Sequence, residues 1–224
     1  MRVLVTAGST QVPIDEVRVV TNIFKGRTGA DIATYLAGCG WDVQLLTSNP
    51  DLPLLQERAP SLPKLHISEY RTFDDLAILM EAELCHRSRN YDVVIHSAAV
   101  SDFLVDSVEG AGEHHGKIAS SVQDLVVRFK PAPKLIDKIR QPWGFTGTLV
   151  KFKLEVGLSD EKLIARARES MQFSGANFLI ANCLEWSTRR ALLVKSGGDI
   201  TELDRVDLSR EIFKAVCERH EAEQ

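Results

Sequence analysis

The residues able to do chemistry gather first between Met1 and Ala30. Thr6-Ala7-Gly8-Ser9-Thr10 is small and rich in hydroxyls and backbone donors, so a phosphate can approach the main chain closely there. Thr21-Asn22 follows, and Gly26-Arg27-Thr28-Gly29 is placed to open a helix whose N-terminus favours an anion. Gly8, Gly26 and Gly29 do not make G-x-G-x-x-G, and no Tyr-x-x-x-Lys pair is present. Both absences count against the first alternative, a nicotinamide- or flavin-binding oxidoreductase of Rossmann type. His114-His115 looks like a metal pair but lacks a third ligand, so no metal site is expected. Four cysteines, Cys39, Cys85, Cys183 and Cys217, have no metal or C-x-x-C spacing and read as reduced thiols of a cytoplasmic protein.

The elements that must position these residues alternate. Arg2 to Thr6 is a β-branched run suited to the first strand of an open α/β sheet. A long polar loop should follow, then a helix through Gly40 with Ile32, Tyr35 and Leu36 inward. Asp42 to Thr47 and Lys64 to Ile67 read as strands, separated by a proline-rich loop over residues 49–63. Phe73 to Arg89 reads as an amphipathic helix and Tyr91 to His96 as a buried strand. Val105 to Ser121, with its glycines and charges, is expected to be an irregular, mobile loop. Beyond it, strands are expected over Asp124 to Phe129, Thr148 to Phe152 and Asn177 to Ala181, with helices over Pro133 to Arg140 and from Ser159 to about Phe173. A hairpin over Ala191 to Leu203 and a helix over Asp207 to Glu221 should close the chain. The fold class implied is α/β: a Rossmann-like, mostly parallel sheet flanked by helices, with a C-terminal β-hairpin and helix, in a single domain over residues 1–224. Ligands of such sheets sit at the carboxyl ends of the strands, where Gly8 and the Ala98 to Asp102 segment both fall.

Composition is that of an ordinary globular protein, with 44% hydrophobic and 26% charged residues. A net charge of −4 argues against nucleic acid as a partner. No apolar run approaches membrane-spanning length, so neither a membrane partner nor a leader segment is expected.

Several blocks together resemble phosphopantothenate–cysteine ligase. They are Thr6-Ala7-Gly8-Ser9-Thr10, Pro13-Ile14-Asp15-Glu16-Val17-Arg18, and Thr21-Asn22 through Gly26 and Gly29. Ala98-Ala99-Val100-Ser101-Asp102-Phe103, Lys117-Ile118, Phe152-Lys153-Leu154-Glu155 and Ala181-Asn182 extend the similarity to about residue 185. Ser9 stands where the family has a second glycine, and Phe24-Lys25 where it has Ser-Ser. No decarboxylase domain is expected beside the ligase. The resemblance implies amide formation between 4'-phosphopantothenate and cysteine through an acyl-nucleotidylate, in coenzyme A biosynthesis. The co-substrate would be CTP, with ATP possible, carrying Mg²⁺, and the enzyme would be a homodimer.

Residue roles follow from the same resemblance. Asn22 holds the acyl carbonyl, and Lys117 neutralises phosphate charge as its loop closes; these are the catalytic pair. Gly8, Ser9, Thr10, Ala99, Asp102, Lys117, Phe152 and Lys153 would hold the nucleotide. Asn22, Lys25, Gly26 and Arg27 would hold the pantothenate substrate, with Lys25 as a cation in place of the serine hydroxyls. Asp15 and Arg18 read as an ion pair shaping the first loop, and Lys153 with Glu155 as a salt bridge. A second alternative is a ligase-like module that binds nucleotide without turnover.

Overall fold

The computed structural model describes residues 1–86, 90–110 and 116–222. The first strand, β1 (Arg2–Ala7), is buried from Val3 onward and lies in the interior of the sheet. It is followed by a small antiparallel ribbon, β2 (Gln11–Pro13) with β3 (Val19–Thr21), and by helix α1 (Arg27–Gly38). Next come β4 (Asp42–Thr47), the short helix α2 (Pro53–Arg58), β5 (Leu65–Glu69), α3 (Phe73–Cys85) and β6 (Val93–His96). A second ribbon pairs β7 (Phe103–Glu109) with β8 (Val126–Pro131) antiparallel, and α4 (Leu135–Lys138) leads to the long strand β9 (Thr148–Glu155). Helix α5 (Asp160–Ser174), β10 (Phe178–Cys183), the hairpin β11 (Arg190–Lys195) with β12 (Ile200–Asp204), and α6 (Leu208–Ala222) complete the order.

The main sheet has eight strands in the order β12-β11-β10-β9-β6-β1-β4-β5. Strands β10, β9, β6, β1, β4 and β5 pair in parallel, whereas β11 and β12 run antiparallel at one edge. Strand alternation decides the layers. Val3 and Val5, Val93 and Ile95, Val150, and Phe178 and Ile180 face a core closed by α1, α2 and α6. The intervening Leu4, Val94, Leu149 and Leu179 face a second core closed by α3, α4 and α5. Successive side chains of a strand point to opposite faces, so a strand covered on both sides must be apolar at every position. That is the pattern of Val93-Val94-Ile95.

Local signals explain where elements start. Thr72 caps α3 by accepting from the Asp75 amide at 3.1 Å while Asp75 accepts from the Thr72 amide at 2.9 Å. Ser159 occupies the equivalent place before α5, yet its hydroxyl makes no capping bond; Asp160 is instead held by Arg190 at 2.8 and 2.9 Å. Three expected segments differ. The polar loop after β1 contains the β2–β3 ribbon, because the turn held by Asp15 folds Val19 to Thr21 back against Gln11 to Pro13, with Val12 opposite Val20. The proline-rich stretch holds α2, with Pro53 in its first turn where a missing N–H costs nothing. Val105 to Glu109 is strand rather than irregular chain, since its β-branched residues pair with β8. His114, His115 and Arg89 lie outside the described residues.

Gly26 precedes α1 at φ +82°, and a Cβ there would lie 2.4 Å from the Gly8 nitrogen. Both the left-handed backbone and the contact exclude a side chain. Gly26→Ala is expected to cost about 2 kcal/mol or more in urea unfolding. Gly38→Ala, at the end of the same helix with nothing within 4 Å of its added Cβ, should be neutral or stabilising by about 0.5 kcal/mol. Equal losses at the two positions would show that neither factor acts at Gly26.

Candidate functional site

The loops after β1 and β6 do not splay apart at the sheet edge. The Ala99 amide donates to the Gly8 carbonyl at 2.7 Å and the Thr10 amide to the Ala99 carbonyl at 3.4 Å, so the parallel ladder continues past both strands. Side chains reinforce it. Asn22 Nδ2 donates to the Ala99 carbonyl at 3.0 Å, and Thr10 Oγ1 donates to Ser101 Oγ at 2.9 Å. Ser9 Oγ donates toward the carbonyls of Phe24 at 2.9 Å and Asn22 at 3.2 Å. Ser9 thus ties down the segment that carries Phe24-Lys25.

A cavity of about 700 Å³ opens one strand further along, between the β6 loop and the overhanging end of β9. His96, Ala98 to Val100 and Asp102 form one side, and Lys151 to Glu155 the floor. Lys134, Ile136 and Asp137 come from the α4 segment, and Arg166, Glu169, Ser170 and Phe173 from α5. Of the residues expected from the sequence, Ala99, Asp102, Phe152 and Lys153 line this cavity. Gly8, Ser9, Thr10 and Asn22 sit behind Ala99 at the same edge, joined to it by the bonds above. Lys25 and Arg27 are exposed and flank Gly26 at the start of α1. Asp102 pairs with Lys134, and Lys153 with Glu155 at 3.2 Å. Glu155 also takes Arg166 at 2.7 Å.

Lys117 is exposed, outside the cavity lining, and its segment is anchored. Asp15 Oδ2 accepts from the Ile118 amide at 3.0 Å and from Arg18 Nη1 at 2.5 Å, while its Oδ1 accepts from the amides of Val17 and Arg18. Arg18 in turn reaches the Ile118 carbonyl at 3.2 Å. Burial alone would raise the Asp15 carboxyl. The amides of Ile118, Val17 and Arg18 and the Arg18 charge outweigh it and hold the group at about 2. The ion pair expected to shape the first loop therefore also fixes Lys117 near that loop.

Several ionisable groups of the cavity, His96, Lys151 and Asp137 among them, were given no role from the sequence alone. His96 is buried, with Nδ1 2.9 Å from Thr6 Oγ1. Burial, aided by the Lys151 charge, lowers it to about 4, so the ring is neutral at ordinary pH. Lys151 is buried on β9 with its ammonium on Ser170 and Ser174 of α5. Burial lowers it to about 8 against the opposing pull of Asp137. Asp137 itself is raised by burial. The available signal for Lys151 was its strand position: in Val150-Lys151-Phe152 a cation stands where alternation calls for a core residue. Arg205, donating to Thr28 in the first turn of α1, carries no sequence signal because β12 and α1 are far apart in the chain.

A neutral His96 gives the folded state a depressed affinity for protons. Its contribution is fully present above pH 6.5 and is lost as pH falls toward 4, amounting to about 3 kcal/mol in all. Urea unfolding of the parent should weaken by that order between pH 6.5 and 4. His96→Gln, which cannot titrate, should be flatter across the same window. Parallel curves would remove His96 as the cause.

Comparison with known proteins agrees with the fold. Residues 1–218 match the family described as the DNA/pantothenate metabolism flavoprotein C-terminal domain. A crystal structure of the DNA/pantothenate metabolism flavoprotein from Streptococcus pneumoniae superposes with a TM-score of 0.81 at 29% identity, covering 100% of both chains. The coenzyme A biosynthesis bifunctional protein CoaBC of Thermococcus kodakarensis is 37% identical over 186 residues, 82% of this chain and 41% of that protein. Phosphopantothenate–cysteine ligase 1 of Oryza sativa is 25% identical, over 96% of this chain and 79% of the rice protein. The chain spans about two fifths of the bifunctional relative. With its sheet order, its stitched β1 and β6 loops and its match over residues 1–218, the chain belongs to the DNA/pantothenate metabolism flavoprotein C-terminal domain family.

Proposed function

We propose that the chain is a phosphopantothenate–cysteine ligase that uses a nucleoside triphosphate to activate the pantothenate carboxylate. The observation that supports this reading most is the Asn22–Ala99 bond at 3.0 Å. It joins the loop assigned to the acyl group with the segment assigned to the nucleotide, at one sheet edge beside a cavity large enough for a nucleotide. The match of 96% of this chain to the rice ligase points the same way.

A carboxylate is a poor electrophile, and its attack on an α-phosphate releases pyrophosphate and leaves an activated acyl-nucleotidylate. The cysteine amine then displaces the nucleotide. Both steps crowd negative charge, which donors and cations stabilise. In this reading the α1 N-terminus, with Gly26 and Arg27, and Lys25 before it take the phosphate of the pantothenate substrate. Lys134, Lys153 and Arg166 supply cavity cations that exchange carboxylate partners for the ligand. Mg²⁺ would neutralise charge on the triphosphate. Among the described residues no helix is long and apolar enough to cross a membrane. A homodimer in the cytoplasm belongs to the same proposal.

Pyrophosphate release with phosphopantothenate and cysteine tests the activity, and CTP is expected to outperform ATP at equal concentration. A clear preference for ATP would reverse the nucleotide assignment. Release with neither would leave a module that binds without turnover.

Lys117→Gln should slow turnover roughly a hundredfold, the scale of losing one transition-state donor. Asn22→Asp sets a carboxylate against the activated acyl group and the Ala99 carbonyl. It should let acyl-nucleotidylate accumulate with cysteine present, as quenched-flow sampling would show. Parent-like turnover of Asn22→Asp would remove Asn22 from the site.

A further inference from the structure

The wall that α5 presents to the cavity carries two features that the residues above leave unused. Arg166, Glu169, Ser170 and Phe173 recur at three- and four-residue intervals, so they form one stripe of the helix, and all four line the cavity. Phe173 is 79% exposed, although Leu163, Ala167 and Met171 on the inner face of the same helix are buried. A ring left mostly bare at the rim of a charged cavity is available to a flat partner.

Next to it, Ser170 Oγ accepts from the Lys151 ammonium at 2.9 Å. Lys151 places its other bonds on the Ser170 carbonyl at 3.2 Å and Ser174 Oγ at 3.1 Å, and Ser174 donates to the Ser170 carbonyl at 2.9 Å. An ammonium has donors only, so the Ser170 oxygen is fixed as acceptor on that side and its own proton must point elsewhere. Among the described residues no acceptor takes that proton, and Ser170 lines the cavity. A ring face and an oriented hydroxyl donor on adjacent turns suit a flat heteroaromatic ligand with acceptor atoms on its edge.

We propose that Ser170 and Phe173 form the base-reading wall of the nucleotide site. The Phe173 ring stacks on the face of the nucleobase, and the Ser170 hydroxyl, oriented by Lys151, donates to an acceptor on its edge. This rests on the reading of the chain as a nucleotide-using ligase and adds α5 to a site otherwise built from β6 and β9. Phe152, the aromatic expected to pack on the base, is partly buried against the opposite core and leaves one face of the base to be covered from α5.

The test titrates the full chain and its variants with CTP, with ATP and with inorganic tripolyphosphate, which has the charge of the nucleotide and no base. Phe173→Ala should weaken the better nucleotide about tenfold or more, the scale of one base–aromatic stack. Ser170→Ala should weaken it about fivefold. Tripolyphosphate affinity should stay unchanged in both, which also reports an intact fold. Phe173→Tyr and Ser170→Thr should restore nucleotide binding. Lys151→Met in the Ser170→Ala background should add nothing, because the lysine acts through the serine; additive losses would overturn that positioning role. Unchanged nucleotide affinity in Phe173→Ala and Ser170→Ala, or an equal fall with tripolyphosphate, overturns the wall. Variant-sensitive nucleotide binding without pyrophosphate release would sink the ligase reading and leave the wall standing. Pyrophosphate release with insensitive variants would do the reverse, and a parent chain that binds neither nucleotide overturns both.

Discussion

Strands β1 and β6 run in register from Val3 opposite Val93 to Thr6 opposite His96, and beyond that point the fold depends on how the two chains are kept together. In an open parallel sheet the chain reverses its order here, and the loops on either side would ordinarily diverge. Instead the Ala99 amide and carbonyl stay engaged with Gly8 and Thr10, and Thr6, Thr10 and Asn22 add side-chain bonds across the seam. Each is an ordinary hydrogen bond, contributing about 1 kcal/mol net. Their combined effect is geometric. With the β1–β6 seam closed, the crevice moves one strand along to β6 and β9, where His96, Lys151 and the α5 stripe line it.

The same closure explains the polarity of the first thirty residues. A short turn after β1 would end at Gly8 and begin a helix at once. Here eighteen or so residues intervene, and they are held by polar bonds rather than by a core: Ser9 on the carbonyls of Asn22 and Phe24, and Asp15 on the amides of Val17, Arg18 and Ile118. Gly26 then brings the chain back against Gly8 closely enough to exclude a Cβ at Gly26, while a Cβ at Gly8 would strike Ser48 after β4. Tyr70, donating to the Ala7 carbonyl at 2.8 Å, pins the last residue of β1 from the β5 side.

Much of this was legible in the sequence because it rests on local signals. Continuous apolar runs marked β1 and β6, and the spacing of Ile32 and Leu36 marked α1. The Gly197-Gly198 turn marked the β11–β12 hairpin. The blocks around Asn22, Asp102 and Phe152 placed one sheet edge correctly, and Ala99, Asp102, Phe152 and Lys153 share one cavity. What escaped carried no apolar run or helical spacing to mark it. Val12 and Val20 pair only because the Asp15 turn folds them together. Lys151 is a cation at an inward position whose partners, Ser170 and Ser174, lie a full helix away. Phe173 looks apolar and therefore buried, yet the helix ends with it facing open space.

Strand β9 continues to Glu155 alongside β10, whereas its other neighbour, β6, stops at His96, which pairs with Lys151. The cavity floor is thus a ledge of strand hydrogen-bonded on one side only, and its chemistry is written in parity. Lys151 faces α5, and Phe152 faces the layer of α1 and α6. One residue inserted or deleted upstream in β9 would exchange the two faces, putting an ammonium into an aliphatic core and a ring against the serines of α5. Substitutions on the ledge leave that parity intact. The floor is therefore open to change by replacement and closed to change in length, a constraint on how sites in this family can diverge or be redesigned.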